Sequence, residues 1–226
     1  MRDSISKIPE GAIRFNTDSN KMEVWIGDKW KIVSTSSPNL DGGARGVFFG
    51  GAPSNNAAID FITISTAGDA GDFGDMTSHR VQGAAGSSNT RGVYGNGEAP
   101  SITDRIEFIT FSSTGGATDF GDTVNYGAYG WTMGIVSSPI RGLFALGSND
   151  SGTYNNIEFI TIATTGNAQD FGDLSQARTH TRGVASPTRG VNVGGRNPSN
   201  VTTMDFITIS TLGNAQDFGD NDIFGR

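Results

Sequence analysis

A sequence motif that occurs four times limits what this chain can fold into. Each copy contains three elements: a segment that starts with Arg-Gly, an apolar residue followed by an acid and Phe-Ile-Thr, and the tetrapeptide Asp-Phe-Gly-Asp. The elements begin at Arg45, Arg91, Arg141 and Arg189, at Ile59, Ile106, Ile157 and Met204, and at Asp72, Asp119, Asp170 and Asp217. Successive copies of the last two elements are offset by 47, 51 and 47 residues. This period is typical of a four-stranded propeller blade.

The second element predicts a β-strand that is covered on both faces. Its β-branched and aromatic residues favour a strand, and the alternation places Ile59 and Phe61 on one face with Ile62 and Ile64 on the other. In a protein without helices, another copy of the same sheet is the natural cover for both faces. A two-sheet sandwich would instead predict alternating apolar and polar residues. We therefore expect an all-β fold in which residues 31–226 form a β-propeller.

A fourth strand is predicted in each repeat, at residues 81–87, 134–138 and 183–186, and at 32–38 for the first repeat. Small residues in that strand, an apolar strand that ends in Gly-Gly and an arginine such as Arg80 or Arg178 resemble the pattern of kelch repeats. Phe73 and its three counterparts stand where kelch repeats usually carry tryptophan. The resemblance implies a kelch-like β-propeller of four repeats.

The first 30 residues predict a separate small β-meander. Turn residues at 17–20 and 27–28 separate alternating segments, so Ile13 and Phe15 should face Met22, Val24 and either Ile26 or Trp25. So small a sheet is not stable alone. We expect it to dock on another surface, and the candidate assembly residues are Ile13, Phe15, Trp25 and Trp30.

The meander also resembles a short module of bacteriophage tail-fibre and other virion appendage proteins. The resemblance is carried by Ile13-Arg-Phe-Asn-Thr17, Asn20-Lys-Met-Glu23 and Trp30, in that order. The Phe-Ile-Thr-Ile and Asp-Phe-Gly-Asp signatures are similar to those of structural proteins of marine phages, including cyanophages. The two resemblances imply a virion component that is attached through its N-terminal part and displays the propeller outward.

Composition and charge argue against several classes of partner. The formal net charge is −7, whereas nucleic-acid binding requires a basic surface. All four lysines lie within the first 31 residues, and residues 35–226 carry ten arginines against eighteen acids. The chain has no cysteine and no apolar run long enough for a membrane span. Residues 1–7 do not resemble the apolar core of a signal peptide, so we do not expect export by the secretory route. We expect neither nucleic acid nor membrane insertion among its interactions, and no cofactor.

No pattern of residues predicts catalysis or a metal site. Asp-Phe-Gly resembles a kinase metal-binding motif, but it occurs four times in phase with the repeat and without the other kinase motifs. Recurring residues such as Arg45, Asp72 and Asp75 are better explained as turn and inter-strand partners. His79 and His180 are the only histidines, and neither has a second histidine or a cysteine nearby to share a metal. We therefore expect a protein that is not an enzyme.

The candidate binding residues lie where the repeats differ from one another. Residues 125–131, Asn-Tyr-Gly-Ala-Tyr-Gly-Trp, replace the connection of the other repeats with Tyr126, Tyr129 and Trp131. The loop at 148–156 adds Tyr154 and Asn155. Aromatic rings beside amides can stack on sugar rings or contact a neighbouring protein, and they can also simply fill a gap between blades.

The sequence favours a non-catalytic virion structural protein, either a tail fibre or appendage or a capsid decoration. Its expected partners are other virion proteins and a host-surface glycan or protein. Similarity to fibres favours a trimer, although a propeller can also decorate a capsid as a monomer. An intracellular kelch-like interaction module is the alternative, and a propeller enzyme acting on glycans is the third hypothesis.

Overall fold

The computed structural model describes residues 8–17, 21–33, 45–51, 56–98, 101–124, 134–149 and 151–222, and the regular elements in these ranges are all β-strands. Within them there is no helix that could cross a membrane. The chain divides into two compact units, residues 1–38 and 39–226. The all-β class predicted from the sequence is confirmed.

Twenty strands form antiparallel sheets. They are β1 (Ile13–Asn16), β2 (Lys21–Ile26), β3 (Lys29–Ile32), β4 (Arg45–Gly51), β5 (Asn56–Thr63), β6 (Gly71–Asp75), β7 (Ala84–Ser87), β8 (Arg91–Gly95), β9 (Arg105–Thr110), β10 (Thr118–Asp122), β11 (Gly134–Ser137), β12 (Arg141–Ala145), β13 (Ser148–Asn149), β14 (Gly152–Thr153), β15 (Asn156–Thr161), β16 (Gln169–Asp173), β17 (Arg182–Ala185), β18 (Arg189–Val193), β19 (Thr203–Thr208) and β20 (Gln216–Asp220).

The first unit is a three-stranded meander in the order β1-β2-β3. Ile13 pairs with Val24 and Phe15 with Met22, as the sequence predicted. Trp25 pairs instead with Trp30, on the opposite face of the sheet. The alternation of the strands therefore separates an aliphatic face from a face that carries both tryptophans.

Each repeat of the second unit forms its own sheet, in which consecutive strands are neighbours. We name these sheet 1 (β4-β5-β6), sheet 2 (β7-β8-β9-β10), sheet 3 (β11-β12-β15-β16) and sheet 4 (β17-β18-β19-β20). The short strands β13 and β14 form a separate hairpin between β12 and β15. The strand predicted at 32–38 for the first repeat is not seen as such, because Ile32 ends β3, Val33 follows that strand and 34–38 lie outside the described residues.

The Asp-Phe-Gly-Asp motif forms a β-bulge at the last strand of every sheet. In sheet 3, Gly172 pairs with Ile157 and Asp170 with Glu158, so Phe171 is the extra residue between them. The same shift of register occurs in the other three sheets. The bulge turns each phenylalanine edge-on to the phenylalanine of the preceding strand, and the Phe159–Phe171 ring centroids are 6.0 Å apart. The motif therefore shapes the sheets.

The arginine that begins each repeat extends this aromatic pair. Its guanidinium lies over the ring of the Phe-Ile-Thr phenylalanine at 4.3–4.8 Å from the centroid, in the pairs Arg45–Phe61, Arg91–Phe108, Arg141–Phe159 and Arg189–Phe206. An arginine in this position shields the ring and keeps its donors at the sheet surface. The recurrence of Arg-Gly in the sequence thus has a packing explanation.

The core lies between sheets rather than within them. One apolar cluster joins sheet 1 to sheet 2, a second joins sheet 2 to sheet 3 and a third joins sheet 3 to sheet 4. We call the face turned toward the next sheet along the chain the forward face, and the opposite one the backward face. Ile157 on the forward face and Ile160 on the backward face of sheet 3 are both buried, as the sequence predicted for a strand between two sheets. In sheet 1, by contrast, Ile64 is exposed.

The dependence of stability on this core can be tested with a matched pair of substitutions. Ile157 is fully buried between sheets 3 and 4, whereas Ile140 lies in an exposed turn of sheet 3. We expect Ile157→Ala to lower the free energy of unfolding by about 2–5 kcal/mol and Ile140→Ala to change it by less than about 0.5 kcal/mol. Equilibrium denaturation in urea measures both, and equal effects would contradict the stacked arrangement.

Candidate functional site

In sheets 2 and 4, the loop between the second and third strands lies beside the connection that enters the sheet. Val81, in the connection to sheet 2, forms an antiparallel bridge with Glu98 in the loop of that sheet. Thr179 forms the matching bridge with Arg196 in sheet 4. The loops at 98–104 and 196–200 are therefore held by backbone hydrogen bonds at one edge of their sheets.

Buried ion pairs fix the connections at this edge. Arg178 donates to Asp205 at 2.8 Å, and both side chains are inaccessible to solvent. Arg80 makes the corresponding ion pair with Glu107 and also donates to the carbonyl oxygens of Asn96 and Arg105. Burial lowers the pKa of Arg178, although the Asp205 carboxylate opposes that shift. Removal of either member of such a pair is strongly destabilising, because the remaining charge stays buried without a partner.

The acid of each pair also holds the end of the preceding sheet. The Asp205 carboxylate accepts hydrogen bonds from the backbone N–H and the hydroxyl of Ser175, which follows β16. Glu107 accepts from Thr77 in the same way, and Glu158 accepts from the backbone N–H of Val124 at 3.0 Å. The acidic residue of the Phe-Ile-Thr strand thus links one sheet to the next. This role was not predicted from the sequence, although an acid between apolar residues in a strand buried on both faces is a signal for it.

Tyr154 and Asn155 take part in the packing of this edge. The Tyr154 ring is partly buried against the cluster between sheets 2 and 3, and the Tyr154 carbonyl oxygen accepts a hydrogen bond from the Arg178 N–H. The Asn155 carbonyl accepts from the N–H of Leu174, and its side-chain amide donates to the Leu174 carbonyl at 3.4 Å. These contacts give Tyr154 and Asn155 a part in the packing of the edge, and their binding of a ligand stays a prediction.

Tyr126, Tyr129 and Trp131, the other candidate binding residues, lie outside the described residues. The structure does show that Val124 precedes this connection and β11 follows it, so the segment occupies the same place in the chain as the connections that carry Arg80 and Arg178. Those two connections supply a buried arginine to the next sheet, and 125–133 contain no arginine.

The four candidate assembly residues fall on the two faces of the first unit. Trp25 and Trp30 pack edge to face with ring centroids 5.4 Å apart, and the Arg14 guanidinium lies 4.2 Å from the centroid of Trp30. Glu23 on this face accepts hydrogen bonds from Asn16 and Arg14, and these bonds hold its pKa below the usual value. The polar groups of the tryptophan face are thus paired with one another.

The aliphatic face is the exposed one. Ile13 keeps 65% and Phe15 54% of its surface accessible, and Met22, Ile26 and Val33 are exposed as well. Val24 pairs with Lys31 and Ile26 with Lys29, which places both lysines on this face. The result is an apolar surface that is bordered by positive charge.

The histidines do not lie together. The His180 ring is 2.8 Å from the Thr179 hydroxyl through Nδ1, and His79 belongs to a different connection. Across the described ranges, no group of three metal-ligating side chains comes together. No protein-family model matches the chain, and no curated protein matches it.

The structural role of the buried acids predicts a large effect of a single substitution. We expect Asp205→Ala to lower the free energy of unfolding by about 3–5 kcal/mol, because the Arg178 guanidinium would remain buried without its partner. Asp170→Ala, which removes an exposed carboxylate from the last strand of sheet 3, should change it by less than about 0.5 kcal/mol. Thermal and urea denaturation compare the two, and a small effect at Asp205 would contradict the assignment.

Proposed function

We propose that this chain is a non-catalytic structural protein of a bacteriophage virion, either a tail fibre or appendage or a capsid decoration. In this proposal the four sheets are the blades of a kelch-like β-propeller whose ring does not close within one chain, and the first unit attaches the chain to a neighbouring virion subunit. The observation that carries the proposal is the exposed aliphatic face of the first unit, since three of its residues, Ile13, Phe15 and Met22, belong to the segments that resemble tail-fibre modules.

The chemistry of that face specifies its occupant. Ile13, Phe15 and Met22 form an apolar centre, and Lys29 and Lys31 add positive charge at its border. A partner surface with an apolar centre and an acidic rim would bury the three apolar side chains and form ion pairs with the two lysines. The occupant we propose is such a surface on a neighbouring virion protein.

The repeat unit supplies the display function in this proposal. Its loops at 98–104, 148–156 and 196–200 start from sheets whose core is closed by stacking and by buried ion pairs. Loops on a rigid scaffold are well suited to recognition, because little conformational entropy is lost on binding. We assign the contact with a host-surface glycan to the aromatic segment at 125–131.

Attachment through the first unit can be tested by incorporation into particles. We expect Phe15→Asp to reduce the amount of this chain in purified virions at least about tenfold, since a buried carboxylate without a partner opposes docking. Leu212→Asp is the matched control, because Leu212 is also an exposed apolar residue, at 61%, but lies in the repeat unit. Quantitative immunoblotting of particles measures both. Absence of the wild-type chain from virions, or equal incorporation of the two variants, would overturn the proposal.

Glycan recognition can be tested separately on the purified chain. We expect binding to host-surface polysaccharide, and we expect Trp131→Ala to weaken it about tenfold or more because stacking of the indole on a sugar ring is lost. Tyr154→Phe should leave binding unchanged, since that ring already packs against the core. Calorimetric titration with the polysaccharide gives both affinities. Release of shortened sugars in the same mixture would contradict the non-catalytic assignment.

A further inference from the structure

Neighbouring sheets of the second unit are joined by the same set of contacts three times. The turn before the last strand of one sheet donates two backbone hydrogen bonds to the bulged strand of the sheet before it. These bonds measure 2.7–2.8 Å and are Gly115 to Phe73 and Ala117 to Asp75, Gly166 to Phe120 and Ala168 to Asp122, and Gly213 to Phe171 and Ala215 to Asp173. We call this set, with the apolar cluster beneath it, the junction.

Two charged groups complete each junction. The first arginine of one sheet donates to a backbone carbonyl of the next, in the bonds Arg45 to Phe111, Arg91 to Ile162 and Arg141 to Ile209. The acid of the Phe-Ile-Thr strand accepts from the residue that follows the preceding sheet. Each sheet therefore carries one half of a junction on its forward face and the complementary half on its backward face, and each half contains both donors and acceptors.

The forward face of sheet 4 has the same groups, and no sheet in the described ranges lies against it. Phe218 is 50% exposed, whereas Phe73, Phe120 and Phe171 at the same position are each 2% exposed. Val184 is 64% exposed, against 2% for Val136 in sheet 3. The Arg189 guanidinium lies over Phe206 like its counterparts, but no carbonyl in the described parts of the chain accepts a hydrogen bond from it.

The space around the glycine of each bulge shows the same difference between sheet 4 and the other three sheets. A side chain added at Gly74, Gly121 or Gly172 would overlap the backbone of the turn in the next sheet. At Gly219 the same added atom would meet nothing within 4 Å. The bulge of sheet 4 has the same register shift as the other three bulges. Among the described residues, no turn of another sheet lies against it.

The backward face of sheet 1 has the complementary exposed groups. Phe48 is 56% and Ile64 66% exposed, whereas Phe144 and Ile162 at these positions in sheet 3 are 0% and 1% exposed. Asp60 is exposed, although Glu107, Glu158 and Asp205 are fully buried at the same position. Gly68 corresponds to Gly115, Gly166 and Gly213, whose N–H groups donate to the preceding sheet in the internal junctions.

We propose that the forward face of sheet 4 docks on the backward face of sheet 1 of a second copy of this chain, head to tail, through a fourth junction. In it the Gly68 and Ala70 N–H groups donate to the Phe218 and Asp220 carbonyls. Arg189 donates to the Ile64 carbonyl, and Phe48 and Ile64 cover Phe218 and Val184. The interface is heterologous, because one copy supplies a different surface from the other.

One residue of the backward face of sheet 1, Asp69, can form a hydrogen bond that is found at the internal junctions. Asn167 and Asn214 accept, through their side-chain oxygens, hydrogen bonds from the last residues of the preceding bulges, the N–H groups of Asp122 and Asp173. Asp69 occupies their position in sheet 1, and its carboxylate oxygen can accept from the Asp220 N–H in the same way. The proposal goes beyond a role in a virion, since the interface is the same wherever the protein works.

One residue makes the fourth junction weaker than the internal three. Asp222 stands at the position of Thr77, Val124 and Ser175, and its carboxylate would face that of Asp60. Because like charges at an interface oppose association, Asp222→Ser should tighten the self-association at least about tenfold, with the new hydroxyl donating to Asp60 as Ser175 does to Asp205. No tightening would contradict this placement of the two surfaces.

Sedimentation velocity of the full chain at increasing concentration tests the junction directly. We expect the wild type to self-associate. Ile64→Asp and Phe218→Asp should each be monomeric, because each substitution disrupts one of the two surfaces that form the fourth junction between copies. A mixture of the two variants should give dimers of one copy of each, since an intact forward face and an intact backward face are then both present. Leu212→Asp is the control and should associate like the wild type, because Leu212 stays exposed although sheet 3 precedes sheet 4, and it belongs to neither of the two end surfaces.

The same measurements can overturn the proposal. Both end residues are already exposed, so Ile64→Asp and Phe218→Asp should keep the circular dichroism spectrum and melting temperature of the monomer. A wild type that stays monomeric at every concentration, or variants that associate as it does, would show that no second copy docks here. A monomer destabilised by both substitutions would indicate that sheets 1 and 4 meet within one chain.

Discussion

The fold of the second unit depends on one constraint: each of its sheets is apolar on both faces. A strand such as β15 carries Ile157 toward one neighbour and Ile160 toward the other, and burial of both requires a sheet on each side. Stability is then shared among the contacts between adjacent sheets, as in other repeat proteins. The constraint also explains why no single sheet of this chain would be stable in isolation.

Hydrogen bonds between sheets give the stack its direction and register. The Asp-Phe-Gly-Asp bulge frees the carbonyl of its phenylalanine from the ladder of its own sheet, and the turn of the next sheet supplies the donor. An apolar contact alone would allow one sheet to slide over another, whereas these bonds fix one position. The buried arginine and acid at the opposite edge, as in Arg178 and Asp205, fix the other end of the same contact.

The sequence predicted what is periodic, and it was least informative where burial depends on a neighbour. The strands of the Phe-Ile-Thr element and their two apolar faces follow from side-chain alternation, and the pairing of Ile13 and Phe15 follows from turn chemistry. The buried state of Glu107 could not be read in this way, because the same kind of residue at Asp60 is exposed. Trp25 was also ambiguous, since its partner on the other face, Trp30, comes from a third strand.

The contrast between Asp60 and Glu107 shows that the burial of a repeat residue depends on whether its sheet has a neighbour on that side, and not on the local sequence alone. Both acids follow an isoleucine and precede Phe-Ile-Thr, so their local propensities are the same. Glu107 is buried because a preceding sheet provides Thr77 and Arg80 as partners, and Asp60 has no such sheet before it among the described residues. Sheets 1 and 4, each with one face that no described sheet covers, therefore present the surfaces that the interior sheets use for cohesion. Function in such a protein is best sought where the repeat is interrupted and where it stops.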